Sequence, residues 1–411
     1  MASGLIEIEQ AQREVLAAAR PLEAEPVDLK SAWGRVLARD IEASEQVPPF
    51  DNSAMDGFAV RAEDLPGASE KSPVRLSVVG EARAGHPASS SLRTGQAIAI
   101  STGAMLPAGA DSVVMVERTR SESGYVEVFA ATLSGQNVRY AGQDIAAGSV
   151  PLARGATLGA AELGVLASLG CDAPPCTRRA SVTILTTGDE LVDPSTPLRP
   201  GLVRNSNLHT IAALTRDAGG ELLRTDTVGD DRAATKRAIG QALQADVAVI
   251  CGGMSVGAHD HVRAGLAELG VHERFFGVAL KPGKPTWFGT LGNTLVFGLP
   301  GNPVSAMVTF ILFVRPALRA LSGAAEHTPL ITATLLSDYE KAPGRAHAVR
   351  CRLTAGANGW EARPTGEQGS HILTSMLGAN ALAIIPSASG SVAAGETVEA
   401  MLLSEGRGVT P

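Results

Sequence analysis

The sequence predicts a multidomain protein in which a doubly wound α/β domain is flanked by β-rich segments. Three textures predict it. From about residue 180 to 318, strand-like apolar runs alternate with helix-period runs. From about 48 to 140, short β-type runs are separated by Gly, Pro and Asp. After Pro316 short strands with turn residues return.

Taken in order, residues 5–20 carry helical spacing at Ile6, Ala11, Val15 and Ala18 and stop before Pro21. SAWGRVLARDI reads as a short helix or turn leading into a strand. VRLSVVG, AIAIS, SVVMVE and YVEVFA then read as short strands. GAAELGVLASL, 159–169, returns to helix. Next come the strand–helix pairs SVTILTT with NLHTIAALTRDAG, LLRTDTV with DRAATKRAIGQAL, DVAVIC with DHVRAGLAELG, and TLVFGL with NPVSAMVTFILFVRPAL. Such alternation predicts right-handed crossovers and a parallel sheet covered on both faces. AHAVRCRL, GWEARP, ALAIIP and ETVEAML then predict a small C-terminal β-barrel, with 323–329 as a linker.

The totals exclude several classes. The net charge of −7 over 411 residues gives a nucleic-acid partner no electrostatic support. Glu7 and Glu9 interrupt any signal-peptide core, and the apolar run Val304 to Val314 is too short to span a bilayer. Four cysteines, Cys171, Cys176, Cys251 and Cys351, form no CxxC pair. Free thiols in a reducing compartment are expected, hence a soluble cytoplasmic protein with no nucleic-acid or membrane partner.

The chemistry concentrates at the strand ends, which the sheet rule places on one rim. These ends carry Asp189-Glu190, Asp230-Asp231, the glycine-rich CGGMSVGAHD that closes on Asp260, and LPGNP. Asp230-Asp231 reads equally as a helix cap followed by a first-turn acid, and Asp260 as another cap. Several carboxylates on one rim repel each other unless a cation stands among them, and oxygen ligands of this kind suit Mg²⁺. Gly252, Gly253 and Gly257 allow backbone N–H groups to approach an anion, and Ser255 adds a hydroxyl. The loop lacks both the GxxxxGK[ST] and the GxGxxG patterns, so its positive charge must come from elsewhere. KPGKP, with Lys281 and Lys284 stiffened by two prolines, is the natural supplier. Asn302 and Pro303 form a good helix start, whose free N–H groups suit an anion. The histidines form no metal triad, and no nucleophile elbow is present.

Nine pieces in order resemble one family. They are PPFDNSAMDGFAV (48–60), STGAMLPAGADSVVMVE (101–117), NVRYAGQDIAAG (137–148), LTTGDEL (185–191), VRNSN (203–207), GGMSVGAHD (252–260), LKPGKPTWFG (280–289), GLPGNPVSA (298–306), and GRAHAVRC with GSHI (344–351, 369–372). The chain resembles the molybdopterin molybdenumtransferases of MoeA type, related to the E domain of gephyrin. Small departures fall at Cys251, Met254, Tyr140 and Gln143.

The resemblance implies a helical domain split between 1–48 and 145–178, an inserted β-rich domain at 49–144, a molybdopterin-binding α/β domain at 179–325 and a β-barrel at 326–411. It implies molybdenum insertion into adenylylated molybdopterin, with molybdate as second substrate, release of AMP and use of Mg²⁺. Glu190, Asp230 and Asp260 would be metal ligands, with Asp189 beside them. Lys281, Lys284, Arg345 and Ser370 would hold molybdate and phosphate. Gly252, Gly253, Ser255, Pro300, Asn302 and Pro303 would line the pocket. A homodimer is implied, with Asp56, Thr102 and Asp144 completing the partner's cleft, and a contact with the adenylyltransferase of the same pathway. A receptor-binding scaffold, a tungsten-selective paralogue and the adenylyltransferase itself are the rival expectations.

Overall fold

The computed structural model describes residues 4–254, 261–324 and 329–403. Its central sheet has six strands in the order Glu221–Val228, Ser181–Thr187, Val247–Cys251, Thr294–Leu299, Trp287–Leu291, His272–Phe276. The first four are parallel. Successive residues of the inner strands enter opposite cores. Ile184, Val247 and Val249 pack on one face, while Leu185, Ala248 and Ile250 pack on the other. Helices Ser206–Asp217 and Pro303–Thr309 cover the first face, and Arg232–Ala242 and His261–Glu268 cover the second. This double burial is why these strands read as unbroken apolar runs.

The four strands read from the sequence are parallel as expected, and two strands that the reading did not include extend the sheet. Trp287–Leu291 and His272–Phe276 run antiparallel at one edge. Trp287 pairs with Gly298, so this strand starts at the rim where Thr294–Leu299 ends. The edge reversal thereby delivers the KPGKP segment to the same rim as the acidic loops.

Helix Pro303–Thr309 continues through a π-helical stretch, Phe310–Val314, into Arg315–Ser322. The wider turn precedes Pro316, whose ring and missing N–H do not fit an unbroken α-helical ladder. The resulting 20-residue helix is long and apolar enough to cross a membrane, but it is mostly buried within the fold.

Ala24–Pro26 pairs with Pro175–Thr177, and Val47 bridges Ile145. Leu37, Ile41, Leu158 and Leu166 share one small core. The first helix, Ile8–Ala18, buries Ile8, Ala11 and Val15 in the α/β core instead. Between these halves lies a separate six-stranded sheet, containing Gly57–Val60 and Gln96–Ile100 among others. After the α/β domain, Ala346–Gly356, Gly359–Pro364, Leu330–Leu335, Thr397–Leu402 and Ala381–Ile385 close into a five-stranded barrel. All four cysteines are free. The expected linker at 323–329 lies partly outside the described residues.

Candidate active site

Asp189 and Glu190 follow the strand Ser181–Thr187 in an exposed turn. Asp189 Oδ1 accepts the backbone N–H of Asp230 at 2.9 Å, tying the first two rim loops together. A Cβ on Gly229 would stand 2.3 Å from that oxygen, so a larger residue there would push the Asp189 carboxylate out of this contact. Asp231, not Asp230, caps the helix Arg232–Ala242, accepting Ala234 N–H at 2.7 Å. The capping reading of Asp230 is therefore overturned, which leaves its exposed carboxylate at the rim.

The segment VRNSN supports this corner. Val203 N–H donates to Glu190 O at 2.8 Å. Asn205 caps the helix Ser206–Asp217 and donates from Nδ2 to Thr186 Oγ1 at 2.7 Å and Thr227 Oγ1 at 3.0 Å. Asn207 Nδ2 donates to Gly301 O at 2.7 Å, joining this corner to LPGNP.

Gly252 and Gly253 have φ of +92° and +63°. A Cβ on Gly252 would lie 2.9 Å from Thr187 O, and one on Gly253 would lie 2.4 Å from Val262 Cγ2. Both the backbone conformation and the space demand glycine. Gly252 N–H is already donated to Leu299 O at 3.1 Å, so it is not one of the anion donors expected of this loop. Ser255 and Asp260 lie outside the described residues.

Pro303 opens its helix as expected, but the Asn302 side chain does not cap it. Asn302 Nδ2 donates to Ser370 Oγ at 3.2 Å, and Val304 N–H donates to Ser370 O at 3.1 Å. The barrel thus sits on the helix start and takes up an N–H group that the sequence leaves free. Arg350, 1% exposed, holds this barrel loop through the carbonyls of Glu367, Gln368 and Gly369.

Leu280–Lys281 leaves the α/β domain to pair in parallel with Ala346–His347 of the barrel. Lys281 and Arg345 consequently line one cavity of about 510 Å³. Lys284 is not among the residues that line it. A larger cavity of about 680 Å³, lined by Trp33, Thr177, Gly219 and Arg319 among others, sits by the amino ends of the strands. It faces away from the rim where open α/β sheets take ligands.

In the inserted domain, Asp56 Oδ1 accepts Thr102 N–H at 2.7 Å, and Asp144 N–H donates to Val47 O at 3.0 Å. Among the described residues, no hydrogen bond or ion pair connects Asp56, Thr102 or Asp144 to Asp189, Glu190, Asp230, Lys281 or Lys284.

Among the described residues, no three acidic, histidine or cysteine side chains gather into a metal cage. Magnesium does not need one, since it commonly takes one or two carboxylates and completes its shell with water and substrate phosphate. The rim fits that habit: Glu190, Asp230 and the second oxygen of Asp189 are hard donors. Thr187 Oγ1, buried beside Gly252 and Gly253, has no hydrogen-bond partner. Sequence reading missed Thr187 and Asn207. The threonine ends an apolar strand, and the asparagine lies within a helix start, so both look structural.

Three family models match consecutive stretches of the chain. These are the MoeA N-terminal region (domain I and II) at residues 6–170, a probable molybdopterin binding domain at 183–320 and the MoeA C-terminal region (domain IV) at 332–403. A molybdopterin molybdenumtransferase of Haemophilus influenzae is 38% identical, over 92% of this chain and 93% of that protein. One from Bacillus subtilis is 35% identical, over 98% and 95%. A solved molybdopterin biosynthesis MoeA protein of Pyrococcus horikoshii superposes with a TM-score of 0.83 at 33% identity, covering 97% of this chain and 99% of its own. With all three regions matched in order and similarity along nearly the whole length, this chain belongs to the MoeA-type molybdopterin molybdenumtransferase family.

Proposed function

We propose that the protein is a transferase of molybdenum cofactor biosynthesis that inserts molybdenum from molybdate into the dithiolene of adenylylated molybdopterin, releasing AMP. One observation supports it above the others: an acidic cluster (Asp189, Glu190, Asp230) and the segment that leads to a cation-lined cavity (Lys281, Arg345) lie along the same carboxyl-end rim of the sheet, on different strands. A substrate with a phosphate linkage at one end and a thiol pair awaiting an oxyanion needs both.

Glu190 and Asp230, with Asp260, would hold magnesium. When bound, it would neutralise the pyrophosphate-like linkage and polarise phosphorus toward water. Asp189 keeps the two acidic loops in register. Gly252 and Gly253 allow close approach of the pterin phosphate, and the Thr187 hydroxyl is available to it. Lys281 and Arg345 hold the tetrahedral oxyanion, supplying proximity to the dithiolene sulfurs. Asn302, Ser370, Pro300 and Pro303 form the wall between the two regions, and Lys284 adds positive charge at its edge.

The protein would work in the cytoplasm as a homodimer, with Asp56, Thr102 and Asp144 of one chain completing the cleft of the other. Exposed Phe50, Met55, Met105 and Tyr140 support this, because Asn52 bridges Met105 and pairs with Arg139 in the same region. The test is incubation with adenylylated molybdopterin, Mg²⁺ and molybdate or tungstate. AMP release with formation of the metal–dithiolene product is expected, and the absence of both would refute the assignment.

A further inference from the structure

The chain leaves the sheet at Thr186 and Thr187, carries Asp189 and Glu190 out to the rim, and returns at Asn205 to open the helix Ser206–Asp217. Two short parallel pairs join the outgoing and returning arms, Leu191 with Val203 and Val192 with Arg204. Asn205 N–H then donates to Val192 O at 2.9 Å. The acidic pair therefore sits within a loop whose neck closes where Asn205 meets Thr186.

That closure rests on one buried side chain. Asn205 is 4% exposed, and Thr186 is fully buried. A carboxamide has two N–H donors and one acceptor oxygen. In Asn205 all of them are engaged. The oxygen accepts Leu208 N–H at 3.1 Å, and Nδ2 donates to Thr186 Oγ1 at 2.7 Å and to Thr227 Oγ1 at 3.0 Å. Thr186 O–H donates in turn to Asp226 O at 3.2 Å. Thr186 and Thr227 are register partners on adjacent parallel strands, and each stands three residues before a rim acid, Asp189 and Asp230. Capping the helix needs only the side-chain oxygen, which serine or aspartate would supply as well. The two amide donors serve the strand ends instead.

We propose that Asn205 is a positioning residue for the rim carboxylates: its amide clasps the neck of the 187–204 loop to both strand ends and so fixes Glu190 against Asp230. The inference rests on the reading of these two acids as magnesium ligands. Among the described residues, Asn205 makes no hydrogen bond to either carboxylate. It acts through the threonine hydroxyls and the loop backbone. Groups that hold metal ligands in place change metal affinity by roughly ten- to a hundredfold when removed.

Hydrogen exchange of the full-length protein, and its titration with Mn²⁺ in the presence of AMP, test this. Asn205→Ser keeps a capping oxygen but is too short to reach either threonine. It should speed exchange of the Val203 and Asp230 amides by roughly tenfold or more, with Val249 in the same sheet unchanged. It should weaken Mn²⁺ binding by roughly tenfold. The magnesium concentration for half-maximal AMP release should rise in step, with little change in the saturated rate. Thr186→Val keeps the cap and the side-chain shape while removing the shared acceptor. It should shift exchange and Mn²⁺ binding the same way, and it decides the question if Asn205→Ser does not fold. Asn205→Asp, to which both threonine hydroxyls can donate, should recover most of the loss. Leu353→Ala, in the barrel core, should lower the melting temperature and leave loop exchange and Mn²⁺ binding alone. Unchanged Val203 exchange or unchanged Mn²⁺ affinity in folded Asn205→Ser would overturn the proposal. So would Asn205→Asp behaving no better than Asn205→Ser, or an equal loss of Mn²⁺ binding in Leu353→Ala. Absence of Mn²⁺ binding in the unsubstituted protein would refute the magnesium reading, and the exchange result would then decide the clasp by itself.

Discussion

The Asp189 carboxylate accepts the Asp230 backbone N–H at 2.9 Å, joining the ends of two adjacent parallel strands before any ligand arrives. One oxygen of Asp189 is thereby committed to structure, and Glu190 and Asp230 are left facing the rim. Glu190→Ala and Asp230→Ala should therefore each reduce AMP release by roughly a hundredfold or more while leaving the melting temperature nearly unchanged. Asp189→Asn keeps the acceptor and should lose less than Asp189→Ala. Normal magnesium-dependent turnover in Glu190→Ala would remove the carboxylate from the mechanism.

Lys281 lines the cavity with Arg345, whereas Lys284 does not. Lys281→Ala should accordingly raise the molybdate concentration needed for half-maximal insertion by roughly tenfold, the loss of one charge-assisted contact. Binding of the adenylylated pterin should change little. Steady-state titration of molybdate at saturating pterin separates the two effects.

The glycine loop gives a stability prediction. Gly252→Ala must place an L-residue at φ +92° with its Cβ 2.9 Å from Thr187 O. A loss of about 1–3 kcal/mol is expected, from left-handed strain together with the clash. Urea denaturation of the variant measures it, and an unchanged midpoint would show that the loop relaxes freely.

His347 makes stability depend on pH. Mainly by burial, and then by Lys281, Lys341 and Arg345, its ring is held at about 4 against 6.5 when free. Tyr339 and Glu340 are the other titratable groups around it. Because the folded value is the lower, the unfolded chain takes up the proton first as pH falls. The stability supplied by the neutral ring is complete above about 6.5 and is lost progressively down to about 4. The full effect is up to about 3 kcal/mol. Denaturation midpoints across that window should fall more steeply in the native protein than in His347→Gln.

Asp246 adds a second, more acidic window. Burial raises its carboxyl, but hydrogen bonds from Arg178 and Ser181 outweigh that and hold it at about 2, below the ordinary 3.8. Its stabilising contribution is present above 3.8 and is lost as pH falls toward about 2. Arg178 also pairs with Glu23, so the cluster ties the N-terminal segment to the α/β sheet. Asp246→Ala should cost about 1–2 kcal/mol at neutral pH, discounted because Arg178 remains partly exposed. Denaturation at neutral pH measures this cost directly.

Local periodicity made the four strand–helix pairs legible, because burial on both faces imposes unbroken apolar runs on strands such as Val247–Cys251. The short motifs at their ends were legible for a related reason: parallel strands bring their carboxyl ends to one rim, so Asp189 and Asp230 were grouped before their 2.9 Å contact was visible. The antiparallel edge was not legible. His272–Phe276 is mostly exposed and so carries no unbroken apolar run, and the direction of both edge strands follows from pairing rather than from residue pattern. Asn302 reads locally as a cap, yet it turns to Ser370, 68 residues away, because the barrel supplies a competing partner. Lys341 and His347 read as ordinary barrel residues. Only the parallel pairing of Lys281 with His347 brings them to the same cavity, because contacts distant in sequence are decided by how domains pack and leave no period in the chain.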